Sequence, residues 1–202
     1  MSRKYKFHDN DKLYFISFAT VHCLPDWVNQ AGIDAFIREE YMKIVLDSWK
    51  FCQEKKGLEI YGWCIMPSHI HMIIGTSQNK LEDIVRDMKK HTSSELKTAI
   101  KNNVSESRKE CLPDESFRRG WFGWWKEPAR KTETIPVGPE LLREQQHNKP
   151  ISIKDQEMFN KTLEYIHLNP VIAGFAAQPE DWKHSSARDF NGMKGLIALN
   201  FS

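Results

Sequence analysis

Two short stretches of the chain combine residue types that can do chemistry. The first is His69-Ile70-His71. If this stretch is a strand, residues two apart share a face, so both imidazoles converge on one side while Ile70 enters a core on the other. The second stretch holds Tyr165 and Asn169, four apart and therefore stacked on one face of a helix, with His167 between them directed elsewhere. Taken singly, each has a plain structural explanation: two satisfied strand histidines, and a packing tyrosine with its hydroxyl in water. Taken together they form a reactive set. Two imidazole nitrogens and the Asn169 side-chain oxygen make three metal ligands and leave positions open for phosphate oxygens and water. A metal so held polarises a phosphodiester as a Lewis acid. Tyr165, one turn before the third ligand, would attack phosphorus and store the bond energy in a 5′-phosphotyrosine, which allows rejoining without ATP. Simple hydrolysis would not need the tyrosine; strand transfer does.

The elements that must position these residues can be read around them. Leu13 to His22 is aromatic and β-branched and predicts a strand. From Gly32 to Gln53 the apolar residues Ile33, Phe36, Ile37, Met42, Ile44, Val45, Leu46 and Trp49 recur at helical spacing, and Gly57 closes the helix. Strands are predicted over Leu58 to Met66 and His69 to Gly75, separated by Pro67-Ser68. Ser77 or Asn79 is expected to cap a helix over Leu81 to Ile100. The segment 101–116 reads as a loop, Phe117 to Trp125 as a strand, and Pro128 to Pro150 as a long connection with a short helical piece near Leu141. A helix from Asp155 to Leu168 carries the tyrosine and is expected to stop at Pro170, and Ser185 to Phe190 reads as a short helical piece. The order β-α-β-β-α-β predicts an α+β fold, a ferredoxin-like antiparallel sheet with helices on one face, plus a C-terminal helix carrying the tyrosine. One domain spans residues 1–202, with a long irregular insertion at about 101–153.

Bulk composition bounds the function. The chain is 202 residues long, and its 40% hydrophobic and 28% charged residues are ordinary for a globular protein. Its polar start and lack of long apolar runs predict a cytoplasmic protein with no membrane partner. Cys23, Cys52, Cys64 and Cys111 are scattered, which argues against a zinc ribbon or a disulfide framework. Net charge is only +2, but charge is concentrated locally. Arg86 to Lys101 contains five Lys/Arg and two acidic residues, and a second basic group (Arg118, Arg119, Lys126, Arg130, Lys131) surrounds a Trp-rich segment. Such patches suit phosphate binding, although each alone is more often a solvated face.

Three segments carry a resemblance to a known family. They are Trp63 to His71 (WCIMPSHIH), Leu163 to Gly174 (LEYIHLNPVIAG) and Pro179 to Phe190 (PEDWKHSSARDF), joined by the basic run Arg86 to Thr92 (RDMKKHT). In these the sequence resembles the single-tyrosine transposases of the HUH endonuclease superfamily, especially the REP-associated tyrosine transposase group, in the family's motif order from Leu13 to Phe190. It departs from relatives at Trp124-Trp125-Lys126-Glu127, where Trp-Gln is frequent. The resemblance implies His69, His71 and Asn169 as ligands of Mg²⁺ or Mn²⁺ and Tyr165 as nucleophile. It implies cleavage and rejoining of single-stranded DNA beside a hairpin by a monomer or homodimer. Arg86, Lys89, Lys90 and Lys97 would follow the phosphate backbone, with Arg118, Arg119 and Lys126 as further DNA contacts. Other readings of the same residues are a replication initiator or relaxase-like nickase, a domesticated DNA-binding protein, and a zinc metallohydrolase.

Overall fold

The structure is a computed structural model that describes residues 7, 9–20, 36–106, 125–126 and 150–201. The first strand, β1 (Tyr14–Thr20), alternates as its sequence requires. Tyr14, Ile16 and Phe18 enter one core and Phe15 the other. Helix α1 (Glu39–Lys56) opens on Glu39 and Glu40 and closes on Lys55 and Lys56, both charge signs favourable to the helix dipole. Gly57 ends it in the left-handed conformation (φ 74°), its N–H bonded to the Cys52 carbonyl. The helix starts later than its apolar periodicity predicts. The Phe36 N–H instead bonds the Pro67 carbonyl at 2.8 Å, so this part of the chain is tied to the link between the next two strands. Residues 32–35 lie outside the described residues.

Strands β2 (Leu58–Ile65) and β3 (His69–Thr76) pair antiparallel across Pro67-Ser68. A bulge between Ile60 and Gly62 changes which β2 residues face which side. Ile60, Trp63 and Ile65 enter one core, while Cys64 faces the other. Helix α2 (Leu81–Asn102) follows. The expected cap is corrected here: Lys80 occupies the N-cap position with no side-chain cap. Asn79 instead donates to the Lys56 carbonyl at 3.0 Å, and Ser77 turns to the Gly57 carbonyl, fastening the α1–β2 turn.

Strand β4 (Trp125–Lys126) pairs with Ala19 and Thr20, and β5 (Ile151–Ser152) with Tyr14 and Phe15. Residues 117–124, and the helical piece expected near Leu141, lie outside the described residues. Strand β5 lies inside the stretch read as irregular; two residues are too few to show alternation. Helix α3 (Gln156–Ile172) is capped by the Asp155 carboxylate, which accepts from the Met158 N–H at 2.8 Å. It does not stop before Pro170. Proline in the last turn removes one donor, and the Ala173 N–H still reaches the Asn169 carbonyl at 3.0 Å. A 3-10 turn (Pro179–Asp181) and helix α4 (Ala187–Phe190) complete the described chain.

The sheet order is β2-β3-β1-β4, with β5 also on β1, and every pair is antiparallel. This is the ferredoxin-like arrangement expected. Helices α1 and α2 cover one face, where Trp49, Trp63, Leu81, Ile84 and Met88 share a core with Ile70 and Met72. Helix α3 packs on the opposite face, placing Tyr165 and Ile166 with Phe15, Cys64 and Ile73. Gly62 permits that close approach, because a Cβ there would collide with the Leu163 Cδ1 of α3. Gly62→Val will therefore destabilise the fold by about 1–3 kcal/mol, the usual cost of overpacking. Urea unfolding measures this; a midpoint equal to wild type would show that α3 has slack over β2.

Candidate active site

His69 and His71 project from β3 toward α3, while Ile70 between them is fully buried in the α1/α2 core. Their rings lie 4.8 Å apart, centroid to centroid, at 77°. The Ser68 hydroxyl sits 3.1 Å from His69 Nδ1, so coordination by that ring would use Nε2, with Nδ1–H directed to the serine. His71 is 2% exposed. Phe15, from the neighbouring strand, stacks on it at 5.8 Å and 15°.

Tyr165 arrives from the opposite layer. Its ring is 5.3 Å from His71 at 70° and 6.1 Å from Phe15 at 81°, so two near edge-on aromatic contacts hold it. One turn later, Asn169 donates its side-chain N–H to the Tyr165 carbonyl at 2.6 Å. That bond commits the amide nitrogen to the helix and leaves Oδ1 as the end a cation could use.

The electrostatics suit a metal site. Burial holds His71 well below the usual histidine range; the neighbouring His69 acts in the same direction, and the Asn169 side chain opposes both. His71 is therefore neutral at physiological pH, the form that ligates. Neither of its ring nitrogens has a hydrogen-bond partner among the described residues, so Asn169 lies beside the ring without completing a bond. A buried imidazole with both nitrogens unmatched costs about 1–3 kcal/mol per group unless something binds it. The donor set thus fits a cation completed by external oxygens. No cluster of three or more His, Cys, Asp or Glu side chains among the described residues is placed to hold a metal. Cys64 pairs in register with His71, but burial pushes its thiol far above its ordinary range. The set is neutral, so a bound ion would keep its full charge for phosphate.

The expected DNA contacts fare differently. Lys89 is 2% exposed, with Nζ 4.5 Å above the Phe18 ring, and burial pushes it down to about 7. It does not run along a surface phosphate path, which corrects that assignment. The physical reason is periodicity: Lys89 is four residues after Val85 and seven before Leu96, inside the apolar stripe. Arg86 is exposed but bonded to Asp83 and Asp87. Lys90 is exposed and Lys97 half-buried. All four sit on α2, across the sheet from Tyr165. Arg118 and Arg119 lie outside the described residues, as does the Lys126 side chain.

Sequence reasoning missed the supporting residues. Phe15 was read only as strand, and Ser68 only as part of a break. His167, set aside as pointing elsewhere, lies 2.8 Å from the Ser186 hydroxyl, and burial pushes it down to about 4. Only the third dimension marks these residues. The depressed histidines carry a prediction. Below about 6.5 an unfolded histidine takes up a proton, whereas folded His167 resists until about 4. Stability is therefore full above 6.5 and falls as pH drops toward 4. Thermal melts across that window will show it, and His167→Gln will flatten the slope.

Residues 32–123 match the family model described as "Transposase IS200 like". That span holds His69, His71 and α2, and ends before Tyr165. A solved structure, "Structure of the REP associates tyrosine transposase bound to a REP hairpin", aligns over 100% of this chain and 93% of that one, with a TM-score of 0.54 and 15% identity. The family match covers less than half of this chain, and the structural match, at that identity, shows a shared fold. Among curated proteins the comparison found no match. No helix among the described residues is long and apolar enough to cross a membrane.

Proposed function

We propose that the protein cleaves and rejoins single-stranded DNA through a covalent bond to Tyr165. The observation that carries this reading is the meeting of two layers at one point. The Tyr165 ring of α3 stands 5.3 Å from the His71 ring of β3, with Asn169 one turn beyond.

The phenolic oxygen of Tyr165 bonds to phosphorus while the bond from phosphorus to the 3′-oxygen breaks. The phenolic proton is released, and the departing oxygen takes up a proton to become a 3′-hydroxyl. The downstream fragment stays linked to the tyrosine through its 5′-phosphate, and attack by a 3′-hydroxyl reverses the step. Mg²⁺ or Mn²⁺, held by His69, His71 and Asn169, would supply Lewis-acid polarisation and stabilise the leaving oxygen. Phe15 and His71 restrict the tyrosine ring, so little conformational freedom is lost on reaching the phosphate. The tyrosine meets a histidine of its own chain, which favours action in cis.

The matched structure, of a protein bound to a REP hairpin, supports a DNA hairpin as the substrate class. A hairpin flanked by single-stranded DNA is the corresponding substrate here. Helix α2, across the sheet from Tyr165, would touch the hairpin rather than the cleaved bond. The test is direct. Purified protein with Mn²⁺ and a single-stranded oligonucleotide carrying a hairpin from repeats flanking the gene will yield a denaturation-resistant adduct on the 5′-phosphate side. Cleavage without any adduct would replace this reading with metal-dependent hydrolysis.

A further inference from the structure

The motif Pro179 to Phe190 has no role in the site so far, yet it is joined to that site by an ordered set of hydrogen bonds. Its middle runs along the free edge of β2. The Trp182 indole N–H donates to the Ile65 carbonyl at 2.9 Å, and the Ile65 N–H to the His184 carbonyl at 2.9 Å. Ser185 bridges Cys64, whose register partner on β3 is His71. The Ser186 N–H donates to the Trp63 carbonyl, and the Ser186 hydroxyl accepts from the Trp63 N–H, both at 2.9 Å.

That hydroxyl has a third neighbour, His167 Nε2 at 2.8 Å. Ser186 accepts from Trp63, and the Trp63 carbonyl already receives the Ser186 N–H. The Ser186 hydroxyl either donates to the Trp63 carbonyl at 3.2 Å and accepts from His167 Nε2–H, or donates to His167 Nε2, and the tie to α3 holds in both arrangements. Ser186 is fully buried, while His167 is half-buried. The bond also spans a joint that is not packed solid. An open cleft of about 420 Å³ lies between α3 and the tail, lined by Asn160, Leu163, His167 and Phe190 among others.

We infer that His167 and Ser186 are positioning residues, which lock the tyrosine helix to the strand beside the histidine pair and so set the reach of Tyr165. His167 is two residues after Tyr165 and two before Asn169. Ser186 is bonded to β2 next to Cys64. One hydroxyl therefore ties the nucleophile's helix to the ligand sheet. Loss of the tie lets α3 shift over the cleft by a fraction of its contacts, with the DNA-binding surfaces untouched.

This rests on Tyr165 being the nucleophile, and the experiment separates the two claims. The rate of adduct formation at saturating hairpin oligonucleotide is measured with Mn²⁺ for wild type, Ser186→Ala, His167→Leu, the double variant and His167→Gln. The Kd for the oligonucleotide is measured alongside. Each single variant will lose about 10- to 100-fold in rate, the scale of a misplacement near 1 Å, with Kd unchanged. The double variant will be no slower than either single one, and His167→Gln, whose amide can donate or accept toward Ser186, will recover most of the rate. Hydrogen exchange will quicken in residues 156–172 of Ser186→Ala. Adduct from wild type with unchanged rates in the variants, additive losses, or losses in Kd alone overturn this inference and leave the nucleophile standing. No adduct from wild type defeats both.

Discussion

Tyr165→Phe will fold like wild type, bind hairpin DNA with the same affinity, and form no covalent adduct. The substitution removes one oxygen from a side chain that is 8% exposed and keeps the ring that packs on Phe15 and His71. Structure and metal site are thereby preserved, and only the nucleophile is lost. Removing a nucleophile commonly costs roughly 10³-fold or more, because the remaining groups act as a unit with it. Strand cleavage will fall by at least about that factor. Labelled oligonucleotide on a denaturing gel reads both quantities. Full cleavage by Tyr165→Phe would mean that water attacks instead, and the protein would be a metallohydrolase with a packing tyrosine.

The second large effect concerns His71, and its readout is stability. A ligand that binds only the folded state at a hundred times its Kd adds about 2.7 kcal/mol. For a chain of this size that is a rise in Tm of about 5–10 °C. Wild type will show this shift with Mn²⁺ and lose it with chelator. His71→Leu will show none. It will also melt at or above wild type in chelator, because the variant no longer buries two ring nitrogens that lack partners. His69→Ala will lose the metal shift without that gain, since His69 is only half-buried. A full Mn²⁺ shift in His71→Leu would move the metal elsewhere.

These two experiments address different layers of the structure, and the sequence was unequally informative about them. His69-Ile70-His71 needed only the two-residue period of a strand to put both rings on one side and Ile70 on the other. Tyr165 and Asn169 needed only helical spacing. The strand order followed from the succession of elements, because a helix between paired strands leaves few ways to close an antiparallel sheet. Lys89 went the other way. Charge suggested a surface contact, while its spacing from Val85 and Leu96 placed it under the helix. Strand β5 was invisible because its partner, β1, is distant in sequence and supplies the pairing. The Pro170 position was misjudged because a missing N–H matters less in a last turn than inside a helix.

Residue periodicity, then, determined which side chains share a face, and with it the identity of the pair His69 and His71 and of the pair Tyr165 and Asn169. It could not determine that the two pairs meet. That depends on α3 crossing the sheet face opposite α1 and α2, on the bulge that turns Gly62 toward Leu163, and on Ser186 holding His167 against β2. These are contacts between residues far apart in the chain. No local spacing encodes them, and only close packing of three layers brings Tyr165 to the histidines.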